Sequence, residues 1–405
     1  MQTLLRGLGA LCLLLSVTTA VAFDVDEEAR RLTQKYLLVD THIDVPYRLE
    51  DSWVDVTRAT EGGDFDYPRA KKGGLDLPFM SVFAPPGMEK PNGDASQAWE
   101  LANQLIDSVE ALAARAPDKF MLVYSPDDAE KAMQSGRIGL AMGMENGSPI
   151  NHDLANIRHF ADRGISYITL AHGKSNHICD SSYDEHRQWN GLSPFGREVV
   201  TEMNRQGVMI DISHVTDETF FQVMDISEVP MIASHSSPRK FTPGWERNMS
   251  DEMIEALAKN GGVIQINIGS SFIKREAHEW FNTMAEKRKA YLEEHDLPPH
   301  GDAASKWGKE YRVENPFPYA TLDDVLANFE HVIELVGVEH VGIGSDFDGV
   351  GDSLPIGLKD VSHFPALIAG FLERGYSEDD IRAIMGGNLM RVWRQVRAFA
   401  KEGQN

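Results

Sequence analysis

The stretch that decides the fold is Leu37-Leu-Val-Asp-Thr-His-Ile-Asp44, in which a short apolar run ends in a His-x-Asp pair. Side chains two residues apart in a β-strand point to the same face. His42 and Asp44 should therefore lie side by side just past a buried strand, where an imidazole and a carboxylate can bind one metal ion. A hydrogen-bonded histidine at a strand end has the same signature. The metal interpretation is favoured because similar strand ends recur along the chain.

Seven further apolar runs of strand length follow the first one. Segments with the spacing of amphipathic helices separate most of them, which predicts an α/β fold with a parallel sheet fed by crossover helices. Eight such strands close a (β/α)8 TIM-like barrel. An open doubly wound sheet would need a glycine-rich phosphate loop after an early strand, and the sequence has none. The runs are Leu37–Asp40, Leu75–Phe83, Ile138–Met144, Ile165–Leu170, Gly207–Ile212, Val229–Ala233, Gly262–Ile268 and Val341–Asp346.

Helices are predicted between these runs, and two longer segments interrupt the alternation. The residues from 51 to 74 are polar and glycine-rich and read as a loop. An insertion at about 274–319 falls before the last strand, at the face where barrel loops form active sites. We expect it to be a partly helical lid or, equally, a dimer contact. The predicted helices are Asp24–Tyr36, Ala95–Ala114, Leu154–Arg163, Phe195–Gln206, segments capped by Thr216 and Ser250, Leu322–Val336, and Ser377 towards Phe399.

The first 22 residues have the pattern of a secretory signal peptide. Arg6 precedes an apolar core, and Ala20-Val-Ala22 is a cleavage site of the A-x-A type. We therefore expect cleavage after Ala22, a single catalytic domain over residues 23–405, and a periplasmic or secreted protein. Cys179 would be the one cysteine left, so no intramolecular disulfide is expected. A net charge of −23 argues against nucleic acid or an anionic membrane as a partner.

The ends of the predicted strands carry an unusual set of histidines and acids. In a barrel the carboxyl ends of all strands converge on one mouth. Charged groups seldom lie there unless they are paired or ligated. Imidazoles together with carboxylates suit zinc better than magnesium or calcium. The set comprises His42, Asp44, Glu145, His172, His214, His235, Asp346 and Asp348.

These donors exceed what one catalytic zinc ion requires, so we predict a site for two Zn²⁺ ions per chain. One ion would bind His42, Asp44 and Glu145. The other would bind Glu145, His214 and His235, with Glu145 bridging. Metals so placed lower the pKa of a shared water to about 7 and generate a bridging hydroxide, which is a nucleophile for hydrolysis.

Three further residues receive roles from their position. Asp346 suits general acid/base catalysis, although it could instead orient a histidine ligand. His172 is predicted to donate to the oxyanion of a tetrahedral intermediate. Arg247 could bind a substrate carboxylate, but from sequence alone an ordinary surface arginine is the more common case. Asp348 is predicted to be structural.

Several motifs, in this order along the chain, together resemble the membrane (renal) dipeptidase family of zinc peptidases. The resemblance implies a (β/α)8-like barrel, two zinc ions bridged by a glutamate, and hydrolysis of free dipeptides. The motifs are Asp40-Thr-His-Ile-Asp44, Met144-Glu-Asn-Gly147, Thr169-Leu-Ala-His172, Gly191-Leu-Ser-Pro-Phe-Gly196, Asp211-Ile-Ser-His-Val215, Ser234-His-Ser-Ser237, Arg247-Asn248, Gly344-Ser-Asp-Phe-Asp-Gly349, Gly357-Leu-Lys-Asp-Val361 and Gly387-Asn-Leu-Met-Arg-Val392.

The resemblance also implies residue roles. The family's metal ligands match the five residues assigned above, and its acid/base aspartate matches Asp346. Its substrate-contacting histidine matches His172, and the arginine that holds the substrate's C-terminal carboxylate matches Arg247. This match makes a functional role for Arg247 the favoured interpretation.

The sequence also departs from the family. Mammalian members have a tyrosine shortly after the seventh-strand asparagine, whereas Asn267 is followed by Ile268-Gly269. The insertion is longer than expected, and no hydrophobic tail follows Phe399, so we expect no membrane anchor after signal cleavage. A homodimer is expected by resemblance only. The predicted function is an exported zinc dipeptidase; the alternatives are another binuclear hydrolase acting on a lactone, cyclic amide or phosphoester, and a non-catalytic binding protein.

Overall fold

A parallel sheet forms the centre of the protein. The computed structural model describes residues 24–298 and 301–403, and these ranges contain nine strands. The strands are β1 (Val39–Ile43), β2 (Leu77–Phe83), β3 (Phe120–Leu122), β4 (Ile138–Glu145), β5 (Ile165–Thr169), β6 (Met209–Asp211), β7 (Ile232–Ser236), β8 (Val263–Ile266) and β9 (Val341–Ile343). Their order is β1-β2-β4-β5-β6-β7-β8-β9, and β3 pairs with β4 outside this path.

The first and last strands of this path meet and nearly close the sheet. Ile43 forms a parallel bridge with Phe347. The Asp346 N–H donates to the His42 carbonyl at 3.1 Å, and the Asp44 N–H donates to the Phe347 carbonyl at 2.9 Å. The predicted (β/α)8 barrel is therefore confirmed. Its closure brings the segment around His42 into contact with the segment around Asp346.

Helices surround the barrel and follow the predicted alternation. The two predicted caps are present, because Thr216 and Ser250 accept hydrogen bonds from Thr219 N and Met253 N. The helices are α1 (Val25–Lys35), α2 (Val45–Asp51), α3 (Tyr67–Gly73), α4 (Ser96–Arg115), α5 (Pro126–Gln134), α6 (Ala155–Asp162), α7 (Pro194–Gln206), α8 (Asp217–Ile226), α9 (Asp251–Lys259), α10 (Ser270–Ile273), α11 (Arg275–Glu294), α12 (Asp302–Glu314), α13 (Leu322–Val336), α14 (Phe364–Glu373), α15 (Glu378–Arg382) and α16 (Asn388–Glu402).

Some elements differ from the prediction. The segment from 51 to 74 contains α3, and β3, α5 and α14 were not predicted. The single closing helix is three pieces, since a π-helical turn, Ala383–Gly387, separates α15 from α16. Elements of three to ten residues contain too few repeats for apolar periodicity to identify them.

Two strands end three residues further along the chain than predicted, and β4 ends one residue further, at Glu145. β1 and β7 extend to Ile43 and Ser236, so His42 and His235 lie within their strands rather than after them. The reason is that hydrogen-bonded pairing with neighbouring strands decides where a strand ends, whereas the prediction followed the end of apolar composition. Both side chains are thereby fixed by the sheet itself.

Aromatic side chains fill the interior of the barrel. Phe79 packs against Tyr167 at 5.8 Å and against Trp393 of α16 at 5.4 Å between ring centroids. Gly143 leaves the space for the tyrosine, because a Cβ atom there would lie 2.0 Å from Tyr167 Cζ. The Tyr167 ring can therefore cross the interior and reach the mouth.

The insertion forms its own aromatic cluster on α11, α12 and the loop that follows α12. Trp280 packs on Phe317 at 5.0 Å, and its Nε1–H donates to the Asn315 carbonyl at 3.0 Å. Across residues 24–298 and 301–403, no helix has the length and apolar character needed to cross a membrane. The predicted signal peptide, residues 1–22, lies outside the described residues.

Candidate active site and metal centre

The structure brings all of the predicted site side chains together at the carboxyl end of the barrel. They come from six strands and the loops that follow them, and most are buried. The residues are His42 and Asp44 at β1, Glu145 at β4, His172 after β5, His214 after β6, His235 in β7 with Arg247 after it, and Asp346 after β9. Their roles as ligands and catalytic groups stay predictions at this point.

Glu145 lies at the centre of the cluster. Its Oε2 atom is 3.4 Å from His42 Nε2. Its Oε1 atom faces the other side, at 3.3 Å from His214 Nε2 and 3.4 Å from His235 Nε2. The two carboxylate oxygens are thus divided between two sets of imidazoles, which is the arrangement that a bridging ligand requires.

The neighbours of His42 fix which ring nitrogen faces the cluster. The Tyr167 hydroxyl donates to the Thr41 carbonyl at 2.9 Å, so its oxygen accepts from His42 Nδ1–H at 2.8 Å. When the imidazole of His42 is neutral, its Nε2 atom then carries a lone pair. This atom is buried and has no hydrogen-bond partner, yet it points at two carboxylates. Acceptor atoms that face one another in a buried site repel unless a cation lies between them, so this arrangement indicates a metal site.

A similar relay orients His235. Its Nδ1 atom lies 2.7 Å from the Ser234 hydroxyl, which donates to Asp211 Oδ2 at 2.6 Å. The serine oxygen therefore accepts from Nδ1–H, and the Nε2 lone pair faces Glu145. Such partners of metal-binding histidines hold the tautomer and the ring orientation.

Burial would lower the pKa of His42, but Tyr167, Glu145 and Asp44 outweigh it and hold that pKa well above its usual value. At His214, His235 and Glu145 the electrostatic surroundings favour neutral imidazoles and a charged carboxylate. Burial and then the positive charge of Arg247 hold the pKa of His214 well below its usual value. Burial likewise lowers the pKa of His235, with His42 adding to the effect. Burial would raise the pKa of Glu145, but His42 and His172 oppose it and leave that pKa well below its ordinary range. These are the protonation states of metal ligands.

The distances within the cluster match metal coordination. Ligand atoms about 2.1 Å from one tetrahedral zinc ion lie about 3.4 Å apart. His42 Nε2 is 3.5 Å from Asp44 Oδ2 and 3.4 Å from Glu145 Oε2. His214 Nε2 and His235 Nε2 are closer, at 2.8 Å, a separation nearer to that of a five-coordinate ion. The donors therefore fit divalent metal ions.

The donor atoms form three overlapping groups, each with its atoms within 4.8 Å of one another. The groups are His42, Glu145 and His235; Glu145, His172 and His214; and His42, Asp44 and Asp346. All five predicted ligands occur among them, and because His42 and Glu145 each belong to two groups, the division of the ligands between two ions stays a prediction. His42 also stacks on His235, with ring centroids 3.8 Å apart.

Asp346 lies at the edge of the cluster in a constrained turn. Its φ angle is 64°, and Asn267 Nδ2 donates to its Oδ2 at 2.8 Å. Burial, followed by the neighbouring Asp44 carboxylate, raises the pKa of Asp346 to about 7. A Cβ atom on Gly349 would lie 2.3 Å from both Asp346 Oδ1 and Asp44 Oδ2, so the turn needs glycine there. Asp348, by contrast, pairs with Arg48 at 3.1 Å and lies outside the metal groups, as predicted.

His172 lines the cavity beside Glu145, and Arg247 lies next to His214. The His172 Nε2 atom is 3.3 Å from Glu145 Oε1, and a quarter of its side chain is exposed, whereas that of His42 is fully buried. Arg247 is 2% exposed. Its guanidinium donates to Ser236 Oγ at 2.8 Å and to the His235 carbonyl at 2.9 Å, and Nη2 lies 3.0 Å from His214 Nε2. Arg247 is therefore a buried, hydrogen-bonded part of the site rather than a surface side chain.

The site opens into a cavity of about 630 Å³ that contains residues the sequence did not single out. Tyr183 is one, with its ring centroid 5.6 Å from that of His214. Asn267 also joins the site, through its hydrogen bond to Asp346, a role that the sequence pattern did not indicate. Position at the end of β8 could have identified Asn267, but Tyr183 lies in a loop without any such signal. Aromatic residues also line the cavity: Tyr47, Phe83, Trp245, Phe272, Phe281 and Phe317.

Solved structures resemble the whole barrel. A probable dipeptidase, PvdM, from Pseudomonas aeruginosa superposes with a TM-score of 0.81 at 27% identity, over 93% of this chain and 99% of that one. A metallo peptidase from Rhodobacter sphaeroides, solved with a phosphinate mimic of the dipeptide L-Ala-D-Ala, superposes with a TM-score of 0.72 at 22% identity, over 89% and 99%. The second likeness supports the fold alone.

Sequence comparisons also find dipeptidases. Uncharacterized dipeptidase C965.12 of Schizosaccharomyces pombe is 34% identical over 299 residues, which are 73% of this chain and 62% of that protein. The match spans only 60–62% of the length of the curated relatives. The family model for membrane dipeptidase (peptidase family M19) matches residues 26–405. The chain therefore belongs to the membrane dipeptidase family, peptidase family M19.

Proposed function

We propose that the chain is a zinc-dependent dipeptidase that uses two metal ions. The observation that carries the proposal is the division of the two Glu145 oxygens between His42 on one side and His214 and His235 on the other. Family membership supports peptide hydrolysis. Zinc is favoured because three of the five proposed ligands are imidazoles, whereas magnesium and calcium prefer oxygen donors.

The metal ligands in this proposal are His42, Asp44, Glu145, His214 and His235. When bound, the ions would supply an activated water between them and polarise the peptide carbonyl. The protein's part is to present lone pairs in fixed directions, and the relays through Tyr167 and Ser234 do so. Because Glu145 is buried and charged, it contributes a negative charge that offsets the metal charge.

Arg247 determines where the substrate lies. Its guanidinium would bind the C-terminal carboxylate of the peptide. Because Arg247 Nη2 is only 3.0 Å from His214 Nε2, a carboxylate bound there places the preceding peptide bond, one residue away, beside the metal ligands. This short distance favours cleavage at the last peptide bond of a small peptide, as in a dipeptide.

Asp346 and His172 would then carry the proton and the developing charge. Asp346 takes a proton from the attacking water and returns it to the leaving amine, for which a carboxyl with a pKa about 7 is well matched at neutral pH. His172, exposed to the cavity beside Glu145, donates a hydrogen bond to the carbonyl oxygen as it becomes negative.

We also propose that the protein is exported, on the basis of the signal-peptide pattern in residues 1–22. Fractionation of cells expressing the full chain, with N-terminal sequencing of the product, tests this. A product beginning at Phe23 outside the cytoplasm would support it, and retention of Met1 in the cytoplasm would refute it. A homodimer is a further proposal, to be tested by analytical ultracentrifugation.

The experiment for the catalytic proposal is hydrolysis of a peptide panel by the purified protein before and after chelation. The panel contains free dipeptides, the same dipeptides with an amidated C-terminus, and tripeptides. We expect cleavage of free dipeptides that is lost on chelation and restored by Zn²⁺. Absence of cleavage by protein that binds two metal ions per chain would refute dipeptidase activity while leaving the metal site intact.

A further inference from the structure

One wall of the active-site cavity is aromatic, and the proposed chemistry does not use it. Trp245, Phe272, Phe281 and Phe317 lie on this wall, which we call the aromatic wall. Phe281 is half exposed, and it is one of only six large hydrophobic side chains exposed in the part of the chain that the structure describes. An apolar ring left facing water inside a cavity gains free energy when a ligand covers it.

The aromatic wall adjoins the group that would bind the substrate carboxylate. Arg247 Cζ lies 5.3 Å from the centroid of Phe272. Trp245 packs on Phe272 with centroids 5.0 Å apart. A residue whose carboxylate is bound by Arg247 therefore lies close enough to these two rings for its side chain to reach them.

The insertion places Phe281 beside the same rings. The ring of His278 on α11 packs on Trp245 at 4.4 Å. Phe281 is three residues further along this helix, so the two side chains project from the same face. On the other side, Phe317 is held between Trp280, at 5.0 Å, and the Arg312 guanidinium, at 5.1 Å. The aromatic wall is thus assembled by contacts that exist without a ligand.

We propose that the aromatic wall is the binding site for the side chain of the substrate's C-terminal residue, and that it selects a large apolar or aromatic side chain. The inference rests on the proposed function, since it takes a dipeptide as the ligand. It gives the insertion a role in substrate selection, through Phe281 and Phe317.

The charges around the cavity disfavour an acidic side chain at this position. The two arginines that line the cavity already have partners, because Arg312 pairs with Asp352 at 3.0 Å and Arg48 pairs with Asp348 at 3.1 Å. Asp44 and Asp346 add negative charge nearby. A glutamate side chain would therefore meet no unpaired arginine of the cavity lining, whereas a phenylalanine ring would meet the four rings of the aromatic wall.

The test compares Phe281→Ala with wild type on Gly-Phe, Gly-Ala and Gly-Glu, and on Phe-Gly and Ala-Gly. Loss of one aromatic contact should lower kcat/KM for Gly-Phe by about tenfold, with little change for Gly-Ala. The ratio of Phe-Gly to Ala-Gly should stay constant, because that side chain lies on the other side of the scissile bond. Val313→Ala is the matched control, since Val313 belongs to the same insertion and is 82% exposed.

Binding measured by calorimetry on the chelated protein separates this inference from the catalytic proposal. Preferential binding of Gly-Phe by wild type, abolished by Phe281→Ala, would support the aromatic wall. If the same protein cleaves no peptide, that second result refutes only the dipeptidase activity. Equal binding and equal turnover of Gly-Phe and Gly-Ala by wild type would overturn the inference while leaving dipeptidase activity in place. An effect of Phe281→Ala on Phe-Gly instead of Gly-Phe would also overturn it.

Discussion

Replacement of Tyr167 by phenylalanine tests how the protein prepares its metal ligands. Tyr167 is fully buried, and it lies on a strand remote in sequence from His42. Its hydroxyl accepts from His42 Nδ1–H at 2.8 Å and donates to the Thr41 carbonyl at 2.9 Å. The variant keeps the ring that packs on Phe79 and removes only this oxygen, so the cavity left behind is small.

The magnitude follows from the two buried groups that lose their partner. An unsatisfied buried donor or acceptor costs roughly 1–3 kcal/mol. We expect Tyr167→Phe to lower the free energy of unfolding of the metal-free protein by about 2–4 kcal/mol, because both Nδ1–H and the Thr41 carbonyl are affected. His42 would also be free to place its proton on Nε2, so metal affinity should fall by about 10- to 100-fold.

Two measurements check this prediction: zinc affinity by competition with a chelator, and unfolding in urea of the metal-free protein. Tyr36→Phe is the control, because its hydroxyl binds Glu378 at 2.6 Å, well away from the cluster. The control should lose some stability and no metal affinity. Zinc affinity of Tyr167→Phe equal to that of wild type would refute the view that this hydroxyl fixes the His42 tautomer.

Three further predictions follow from single residues. Asp346→Asn should retain its metal and lose at least about a hundredfold in kcat, since an amide cannot exchange the proton; near-normal initial rates would exclude the acid/base role. Arg247→Ala should raise KM for free dipeptides far more than for C-terminal amides in steady-state kinetics, and equal effects would exclude the carboxylate contact. Burial raises the pKa of Asp76 to about 7, above its unfolded value of about 3.9. The folded state therefore binds the extra proton, and wild type should lose about 2 kcal/mol of stability between pH 5 and 8. Urea unfolding of Asp76→Asn at both pH values should show a smaller loss of stability than wild type. An unchanged loss would mean that another group causes the pH dependence.

Much of the barrel could be predicted because its signal is local. Each apolar run is long enough for one strand, and the segments between runs carry helical periodicity. The elements that were missed, such as β3, α3 and α5, are short, and their existence depends on what they pack against. The ends of β1 and β7 were placed too early for a related reason, since pairing with neighbouring strands extends them past their apolar residues.

The site was predictable in its members but not in its arrangement. Residue type at the strand ends identified the histidines and acids, because charged side chains at that position need a partner. Their division into one group around His42 and another around His235 stays a prediction. The stacking of these two rings at 3.8 Å is a contact that no spacing along the chain contains.

The sequence by itself therefore determined the barrel, the set of candidate metal ligands and the resemblance to a peptidase family, because each depends on patterns within a few residues. Only the tertiary structure decided which nitrogen of His42 faces the cluster, how the oxygens of Glu145 are divided, and that Phe281 faces the active-site cavity. These features depend on contacts between residues such as His42 and Tyr167, which are 125 positions apart. Closure of the barrel creates those contacts, so the directions of lone pairs and the shape of the cavity exist only in the folded chain.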